Sequence, residues 1–265
     1  MDRDQELSRA DLFYIAMNAR RGTIAATITG GGEPTLHPYI NEFIKTLDSS
    51  HVGVGLVTNG IPAKKLSTTA LSQITWCRVS FSDCRKFDDQ FVASMDYLRS
   101  ESRLDLAFSY VLTDDPDYHK LCEVIEYANE NNFTHVRIVS DILHDTADMD
   151  EAKSILHDID TDTSRVIFQD RNESTHGHKR CLLSLLKPII AADGYVYPCC
   201  GVQYARGEGE RMFPEDMRMG HFTELDSITA NQSYFDGSAC NKCYYGQYND
   251  ALDLMTQEVD HAEFL

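Results

Sequence analysis

The sequence predicts an α/β fold in which a parallel sheet is followed by a small cysteine-rich domain. Short apolar runs recur along the first two thirds of the chain, and helical patterns separate them. Such repetition produces right-handed crossovers and therefore parallel strands. None of the eight cysteines lies in residues 1–76, and five lie in the last 85 residues. We therefore predict one domain in residues 1–175 and a second in residues 176–265.

Five runs rich in β-branched or aromatic residues are predicted to be strands: residues 23–28, 52–58, 75–82, 104–112 and 135–140. Helices are predicted where apolar residues recur at helical spacing: from a capping-box pattern at Ser8 and Asp11, over residues 40–47, and over residues 121–128. Polar loops such as "TGGGEP" and "TNG" follow the strands. In parallel α/β folds the functional site commonly lies at the carboxyl ends of the strands. Asn59–Gly60 and Asp114–Pro116 are explained equally well as turns.

Composition excludes several classes of function. The net charge of −18, from 24 basic and 42 acidic residues, repels phosphate backbones and disfavours general nucleic-acid binding. No apolar stretch approaches the roughly 20 residues of a membrane span, and the first residues lack a secretory pattern. We therefore predict a cytoplasmic protein without membrane association. Because thiols in the cytosol stay reduced, the clustered cysteines indicate a metal-binding site more strongly than they indicate disulfide bonds.

A glycine-rich loop, "TGGGEPTLHP", follows the first predicted strand at residues 29–38. Glycines leave the backbone open to a close ligand, and Pro34 restricts Glu33 to extended geometry. We expect the backbone groups of Glu33 to stay available and its carboxylate to pair with an ammonium group. The loop lacks the lysine of a P-loop, so an amine is favoured over phosphate.

The succession "TGGGEPTLHP", "VGLVTNG" and "CRVSFSD" resembles the core of the radical S-adenosylmethionine (radical SAM) family over about residues 8–140. The resemblance implies a partial parallel (β/α) barrel that lacks its first strand. It implies that the loop binds the amino group of the cofactor's methionine portion, through Gly31, Gly32, Glu33 and Pro34. Later strand ends would contact the ribose and adenine, through Ser80, Ser82, Asp83, Val139 and Ser140. It also implies oxidoreductase or maturase activity on a peptide or small-molecule substrate, and an electron donor such as a flavodoxin or ferredoxin.

One family motif has no counterpart in this sequence. The family holds its catalytic four-iron cluster with C-x3-C-x2-C upstream of the glycine loop, whereas no cysteine precedes Cys77 here. Three explanations are open: the chain is an N-terminally truncated fragment, which we favour; a second chain supplies the missing strand; or the protein is a pseudoenzyme. The chain as given is expected to be inactive in S-adenosylmethionine cleavage.

The later cysteines form a second pattern, C-x12-G-x4-C followed by C-x2-C. A C-x2-C turn lets both sulfurs face one metal. The pattern resembles the Twitch domain, a shorter relative of the SPASM domain, which implies one auxiliary 4Fe-4S cluster. The ligands would be Cys181, Cys199, Cys240 and Cys243. A structural zinc site with the same ligands is the alternative. Cys200 is excluded, because adjacent side chains on extended backbone point apart.

The other candidate ligands are interpreted as ordinary residues. Cys77, Cys84 and Cys122 are predicted to be small apolar side chains, and His176 and His178 to be surface residues. The leading function is a radical SAM enzyme with an auxiliary cluster. The alternative is an iron–sulfur or zinc protein without radical chemistry, acting as a pseudoenzyme, electron carrier or binding module.

Overall fold

A computed structural model describes the backbone of nine ranges of the chain: residues 5–19, 22–82, 85–113, 115–141, 149–158, 161–170, 175–206, 213–231 and 234–256. By its internal contacts the chain divides into two compact units. We call residues 8–171 the sheet unit, and residues 172–265 together with residues 1–7 the cysteine unit. Within the described ranges, no helix is both long and apolar enough to cross a bilayer.

The sheet unit alternates strands and helices in six repeats. Its helices are α1 (Arg9–Ala19), α2 (Ile40–Ser49), α3 (Thr68–Leu71), α4 (Asp89–Arg99), α5 (Tyr118–Glu130) and α6 (Met149–Asp158). Its strands are β1 (Ala25–Ile28), β2 (Gly53–Thr58), β3 (Ile74–Phe81), β4 (Asp105–Leu112), β5 (His135–Ser140) and β6 (Val166–Gln169). The five predicted strands are present, and the structure adds β6, which the sequence did not predict.

The six strands form one sheet in sequential order, and every neighbouring pair is parallel. Among the described residues, β1 pairs with β2 alone and β6 with β5 alone, so the sheet is open rather than closed. The predicted α/β fold with a partial parallel barrel is confirmed. Beside the free edge of β1, Ile24 is 90% exposed.

One face of the sheet is covered by the helices. Alternate residues of β3, namely Cys77, Val79 and Phe81, enter the apolar core that the helices complete. Phe108 of β4 stacks on Phe133 with ring centroids 4.4 Å apart. Burial raises the pKa of the Cys77 thiol to about 12, which fits its predicted role as an apolar side chain.

The opposite face, here called the polar face, has a different character. It carries the intervening residues of β3, β4 and β5: Trp76, Arg78 and Ser80 on β3, Asp105, Ala107, Ser109 and Val111 on β4, and His135, Arg137 and Val139 on β5. Trp76 lies beside Gly55 of β2, with which it is in register. The same strands therefore build an apolar core on one side and a charged surface on the other.

In the part of the cysteine unit that the structure describes there are a small antiparallel sheet and three helices. Its elements are α7 (Leu183–Leu186), β7 (Ile189–Ile190), β8 (Tyr195–Tyr197), β9 (Gly220–His221), α8 (Leu225–Asn231) and α9 (Gly246–Met255), with strand order β7–β8–β9. β7 and β8 form an antiparallel hairpin around Asp193–Gly194. Gly194 has φ +81° at this turn, a conformation that glycine adopts without strain.

Gly55 leaves room for the Trp76 ring, and replacement of this glycine tests the described packing on the polar face. A Cβ at residue 55 would lie 2.2 Å from Trp76 Cε2. We expect Gly55→Ala to lower the free energy of unfolding by about 1–3 kcal/mol, the usual effect of overpacking. Urea unfolding followed by far-ultraviolet circular dichroism measures this change.

Gly53→Ala in the same strand is the matched control. A Cβ at residue 53 would lie 3.6 Å from Ala25 Cβ, an ordinary contact, so its unfolding midpoint should change little. Equal midpoints for the two variants would contradict the described packing of Trp76.

Candidate functional site

The glycine loop leaves the sheet at the carboxyl end of β1. Glu33 is extended, with φ −86° and ψ 113°, as predicted for a residue before proline. It caps a short 3-10 turn at Pro34–Leu36, and its carbonyl accepts a hydrogen bond from the Leu36 amide at 3.1 Å. That carbonyl therefore takes part in the turn, a contact that the sequence did not predict.

The Glu33 carboxylate fastens the glycine loop to β2. Its Oε1 accepts hydrogen bonds from the Thr35 amide at 3.0 Å, Thr35 Oγ1 at 2.6 Å and Thr58 Oγ1 at 2.6 Å. Its Oε2 accepts from the Asn59 amide at 2.6 Å. Thr35 and Thr58 are 1% and 2% exposed, so the carboxylate satisfies buried donors. These contacts show the carboxylate as the support of the loop, and its predicted pairing with an ammonium group stays a prediction.

The glycines leave open backbone at this rim. Gly30, Gly31 and Gly32 are exposed. A Cβ at Gly32 would meet no atom within 4 Å, so neither packing nor backbone strain requires glycine there. A Cβ at Gly30 would lie 3.1 Å from the Gly32 carbonyl oxygen. The space beside Gly32 is thus available to a ligand.

The other predicted cofactor residues lie near the same edge of the sheet. Ser80 is within β3 and Ser82 directly follows it. Val139 and Ser140 end β5, where they are 3% and 1% exposed. Because all six strands are parallel, these strand ends share the edge that carries the glycine loop. Asp83 lies outside the described residues.

Main-chain pairing within the cysteine unit brings three of the predicted ligands together. Cys181 and Phe235 exchange backbone hydrogen bonds at 2.9 and 3.1 Å. Cys243 pairs in the same way with Thr175, at 2.6 and 3.1 Å. The Cys240 carbonyl accepts from the Gly177 amide at 2.8 Å. The segments 175–181 and 235–243 therefore lie side by side.

Two glycines allow these segments to approach closely. A Cβ on Gly177 would lie 2.6 Å from Cys240 Cβ and 2.1 Å from the Gly237 carbonyl oxygen. A Cβ on Gly237 would lie 3.5 Å from Cys181 Cβ and 2.8 Å from the His178 carbonyl oxygen. The sequence reasoning missed both positions, although each glycine stands within four residues of a predicted ligand.

The four thiols act on one another electrostatically. The pKa of Cys199 is raised to about 12, first by burial and then by Cys200, Cys181 and Cys240. The pKa of Cys240 is raised to about 11 by burial, Cys243 and Cys181. Burial also raises the pKa values of Cys181 and Cys243. The predicted ligands thus lie near one another, in surroundings where a thiolate needs a nearby cation.

The donor set fits a thiolate-bound metal, but the geometry is not that of a closed site. Seven cysteines are described, and all have free thiols. Within the described ranges, no group of three or more His, Cys, Asp or Glu side chains is placed to hold a metal ion. The segments that carry three of the predicted ligands pair with each other, but the described thiols do not form a metal-binding geometry, and the ligand set stays a prediction.

Cys200 has a different environment from Cys199. Its Sγ lies 2.9 Å from the Tyr245 hydroxyl oxygen. Cys199 has extended backbone, with φ −167° and ψ 171°, which directs the two neighbouring side chains apart. Among the other residues singled out from the sequence, Cys122 is half-buried on α5, His176 is exposed, and Cys84 lies outside the described residues. His178 Nε2 lies 3.5 Å from Asp250 Oδ1.

A hydrogen-bond network supports the hairpin that ends at Cys199. The Tyr197 hydroxyl donates to Asp193 at 2.7 Å, and Arg218 donates to both of these side chains at 3.2 Å. Arg218 also lies over the Tyr195 ring, 4.0 Å from its centroid. Burial is the main cause that raises the pKa of Tyr197 to about 12.

Removal of the Glu33 charge tests its supporting role. Glutamine offers one acceptor oxygen where the carboxylate accepts four hydrogen bonds. We expect Glu33→Gln to lower the free energy of unfolding by about 1.5–3 kcal/mol. Urea unfolding measures it, with Glu42→Gln as the control, because Glu42 forms an exposed ion pair with Arg9. A similar midpoint for both variants would contradict the role assigned to Glu33.

Comparison with known proteins supports the fold. No family model matches the chain, and neither does any curated protein. The crystal structure of Streptococcus suis SuiB bound to S-adenosylmethionine is similar, with a TM-score of 0.58 and 12% identity over 92% of this chain and 66% of SuiB. A second SuiB structure gives a TM-score of 0.56 and 12% identity, over 92% of this chain and 67% of SuiB. The chain thus spans about two thirds of the SuiB chain. Because the identity is 12%, the similarity shows a shared fold and nothing further.

Proposed function

We propose that the sheet unit binds S-adenosylmethionine at the glycine loop and is the cofactor-binding part of a radical SAM enzyme. The observation that carries this proposal is the position of the loop. It follows β1 at the carboxyl edge of six sequential parallel strands, in a fold shared with SuiB bound to S-adenosylmethionine. Substrate-binding loops gather at this edge in parallel α/β proteins.

In this proposal the main chain, rather than the Glu33 carboxylate, receives the cofactor. Carbonyl oxygens at Gly31 and Gly32 accept hydrogen bonds from the amino group of the methionine portion, since no side chain obstructs them. Glu33 holds the loop in place through Thr35 and Thr58. The ends of β3 and β5, with Ser80, Ser82, Val139 and Ser140, contact the ribose and adenine.

The residues of this chain do not fit the cluster that would cleave the cofactor. In radical SAM enzymes a reduced four-iron cluster supplies the electron that releases a 5′-deoxyadenosyl radical. No cysteine precedes Cys77, and Cys77 is fully buried among core side chains with a raised pKa. This chain therefore binds and orients the cofactor, and no cleavage step is assigned to its own residues.

In this proposal the cysteine unit also holds an auxiliary cluster. Cys181, Cys199, Cys240 and Cys243 would hold a 4Fe-4S cluster, with zinc as the alternative metal. Such a cluster, when bound, accepts an electron or anchors a substrate. The chain's own part is to bring together the segments that carry these four partly buried cysteines. The peptide or small-molecule substrate, the flavodoxin or ferredoxin donor and the cytoplasmic location stay predictions.

Gly32→Ala tests the cofactor site without disturbing the fold. The added methyl group would meet no protein atom within 4 Å, so it should leave the unfolding midpoint unchanged. It would occupy space that the methionine portion needs, and we expect the affinity for S-adenosylmethionine to fall by about tenfold or more. Isothermal titration calorimetry on the full chain measures the affinity.

Gly22→Ala is the matched control for this measurement. A Cβ at residue 22 also meets no atom within 4 Å, and this glycine lies before β1, away from the loop. Its affinity should equal that of the unaltered chain. The site would be wrong if both variants bound S-adenosylmethionine equally well.

Iron content tests the metal assignment. Anaerobic reconstitution should load about four irons per chain. Serine at Cys181, Cys199, Cys240 or Cys243 should remove most of that iron, whereas Cys200→Ser should retain it, because its thiol faces Tyr245. Metal analysis and visible absorption measure both results. One colourless zinc per chain would favour the zinc site, and loss of iron in Cys200→Ser alone would refute the ligand set.

A second candidate is a protein that binds cofactor or metal without radical chemistry. The absence of cysteine from residues 1–76 favours it for the chain as given. Both candidates predict that the chain as given, reconstituted and supplied with a strong reductant, forms no 5′-deoxyadenosine. Its detection by chromatography would show that the ligand set described above is incomplete.

A further inference from the structure

Two arginines lie on the polar face, on either side of β4. Arg78 of β3 is in register with Ala107, which is in register with His135. Arg137 of β5 is in register with Ser109, which lies two residues nearer the carboxyl end of β4 than Ala107 does. The two backbone positions are two strands apart and offset by two residues, so they are roughly 12 Å from each other, within reach of convergent arginine side chains.

Neighbouring side chains fix both guanidinium groups. Arg137 donates to Ser109 Oγ at 2.8 Å and to Gln169 Oε1 at 3.1 Å, so its guanidinium group links β5 to both β4 and β6. Arg78 lies over the Trp76 ring, 5.2 Å from its centroid. Arginines that are held in advance lose less side-chain entropy when they bind a ligand.

The surface between the arginines is made of small side chains. Ser80 and Ser109 are in register, and Ala107 lies beside Arg78. Ala107 and Ser109 are 4% and 5% exposed, whereas both arginines are partly exposed. A ligand would therefore meet the partly exposed guanidinium groups, beneath which Ala107 and Ser109 are buried.

His135 lies on the polar face near both arginines. Its pKa is lowered by burial first, and then by Arg78 and Arg137, while Asp105 opposes the shift. The imidazole is therefore neutral near pH 7 and does not add a positive charge. It leaves the two guanidinium groups as the cations that an anion would meet on these three strands.

We propose that Arg78 and Arg137 bind the oxyanion group, carboxylate or phosphate, of a small acidic ligand above Ser80, Ala107 and Ser109. Paired guanidinium groups suit such oxygens, because each offers parallel N–H donors. A small ligand is favoured over a polyanion, since the chain carries a net charge of −18. The assignment concerns the sheet unit alone and does not rest on S-adenosylmethionine binding.

The chain contains its own reporter for this site. Trp76 is the only tryptophan, and Arg78 lies over its ring. We would titrate the full chain with inorganic phosphate and separately with succinate, at an ionic strength held constant with sodium chloride. The expected result is a saturable change in tryptophan fluorescence with one of the two probes, which identifies the oxyanion as phosphate or carboxylate.

Two variants and one control separate this site from general charge effects. Arg78→Gln and Arg137→Gln should each weaken binding by about tenfold or more, through loss of charge-assisted hydrogen bonds. Arg99→Gln makes the same charge change on α4, where Arg99 pairs with Asp96, and should bind as the unaltered chain does. Because Arg78→Gln alters the surroundings of Trp76, calorimetry gives the affinities, and circular dichroism checks folding.

Three results would overturn the proposal. The first is a fluorescence change no larger than that with sodium chloride alone. The second is equal weakening in all three variants. The third is the loss of S-adenosylmethionine binding in the Arg78 and Arg137 variants without any response to phosphate or succinate, which would assign the arginines to that cofactor. Failure of S-adenosylmethionine binding with a retained anion response would instead overturn only the proposed function.

Discussion

The hydrogen bonds accepted by the Glu33 carboxylate fix the rim of the sheet unit. A loop with three successive glycines has many accessible conformations, so it needs an external restraint to present one surface. The carboxylate supplies that restraint from inside the loop, by joining Thr35 to Thr58 and Asn59 at the end of the next strand. The loop and β2 are thus one structural piece, and the open backbone at Gly32 depends on it.

The sequence predicted the effects of residues on their immediate neighbours, but it did not predict contacts between residues far apart in the chain. Pro34 acts on its immediate neighbour, so the extended backbone of Glu33 was predictable. Thr58 is 25 residues away, and it meets Glu33 only because β1 and β2 pair in parallel. Five strands were predicted from apolar, β-branched runs. The sixth, Val166–Gln169, is four residues long and only partly buried at the edge of the sheet, so its pattern is weak.

The cysteine unit shows the same limit more strongly. Spacing identifies the residue types that could bind a metal, but the convergence of Cys181 with Cys240 and Cys243 depends on pairing between segments about 60 residues apart. It also requires close contacts at Gly177 and Gly237, which local patterns do not reveal. Burial raises the pKa values of these thiols, so deprotonation would be linked to metal binding. In the proposed metal site, deprotonation of the thiols and the geometry of this unit would therefore be coupled.

Successive side chains of β3 point to opposite faces of the sheet, so three adjacent residues have two different roles. Cys77 points into the core, where burial keeps its thiol protonated, and it is unsuited to bind a cluster. Its neighbours Trp76 and Arg78 point to the polar face. A shift of one residue in register would exchange these sides, placing an arginine in the core and a thiol on the surface. The apolar contacts of β3 with the helices therefore stabilise the fold and also determine which side chains a ligand on the polar face can meet.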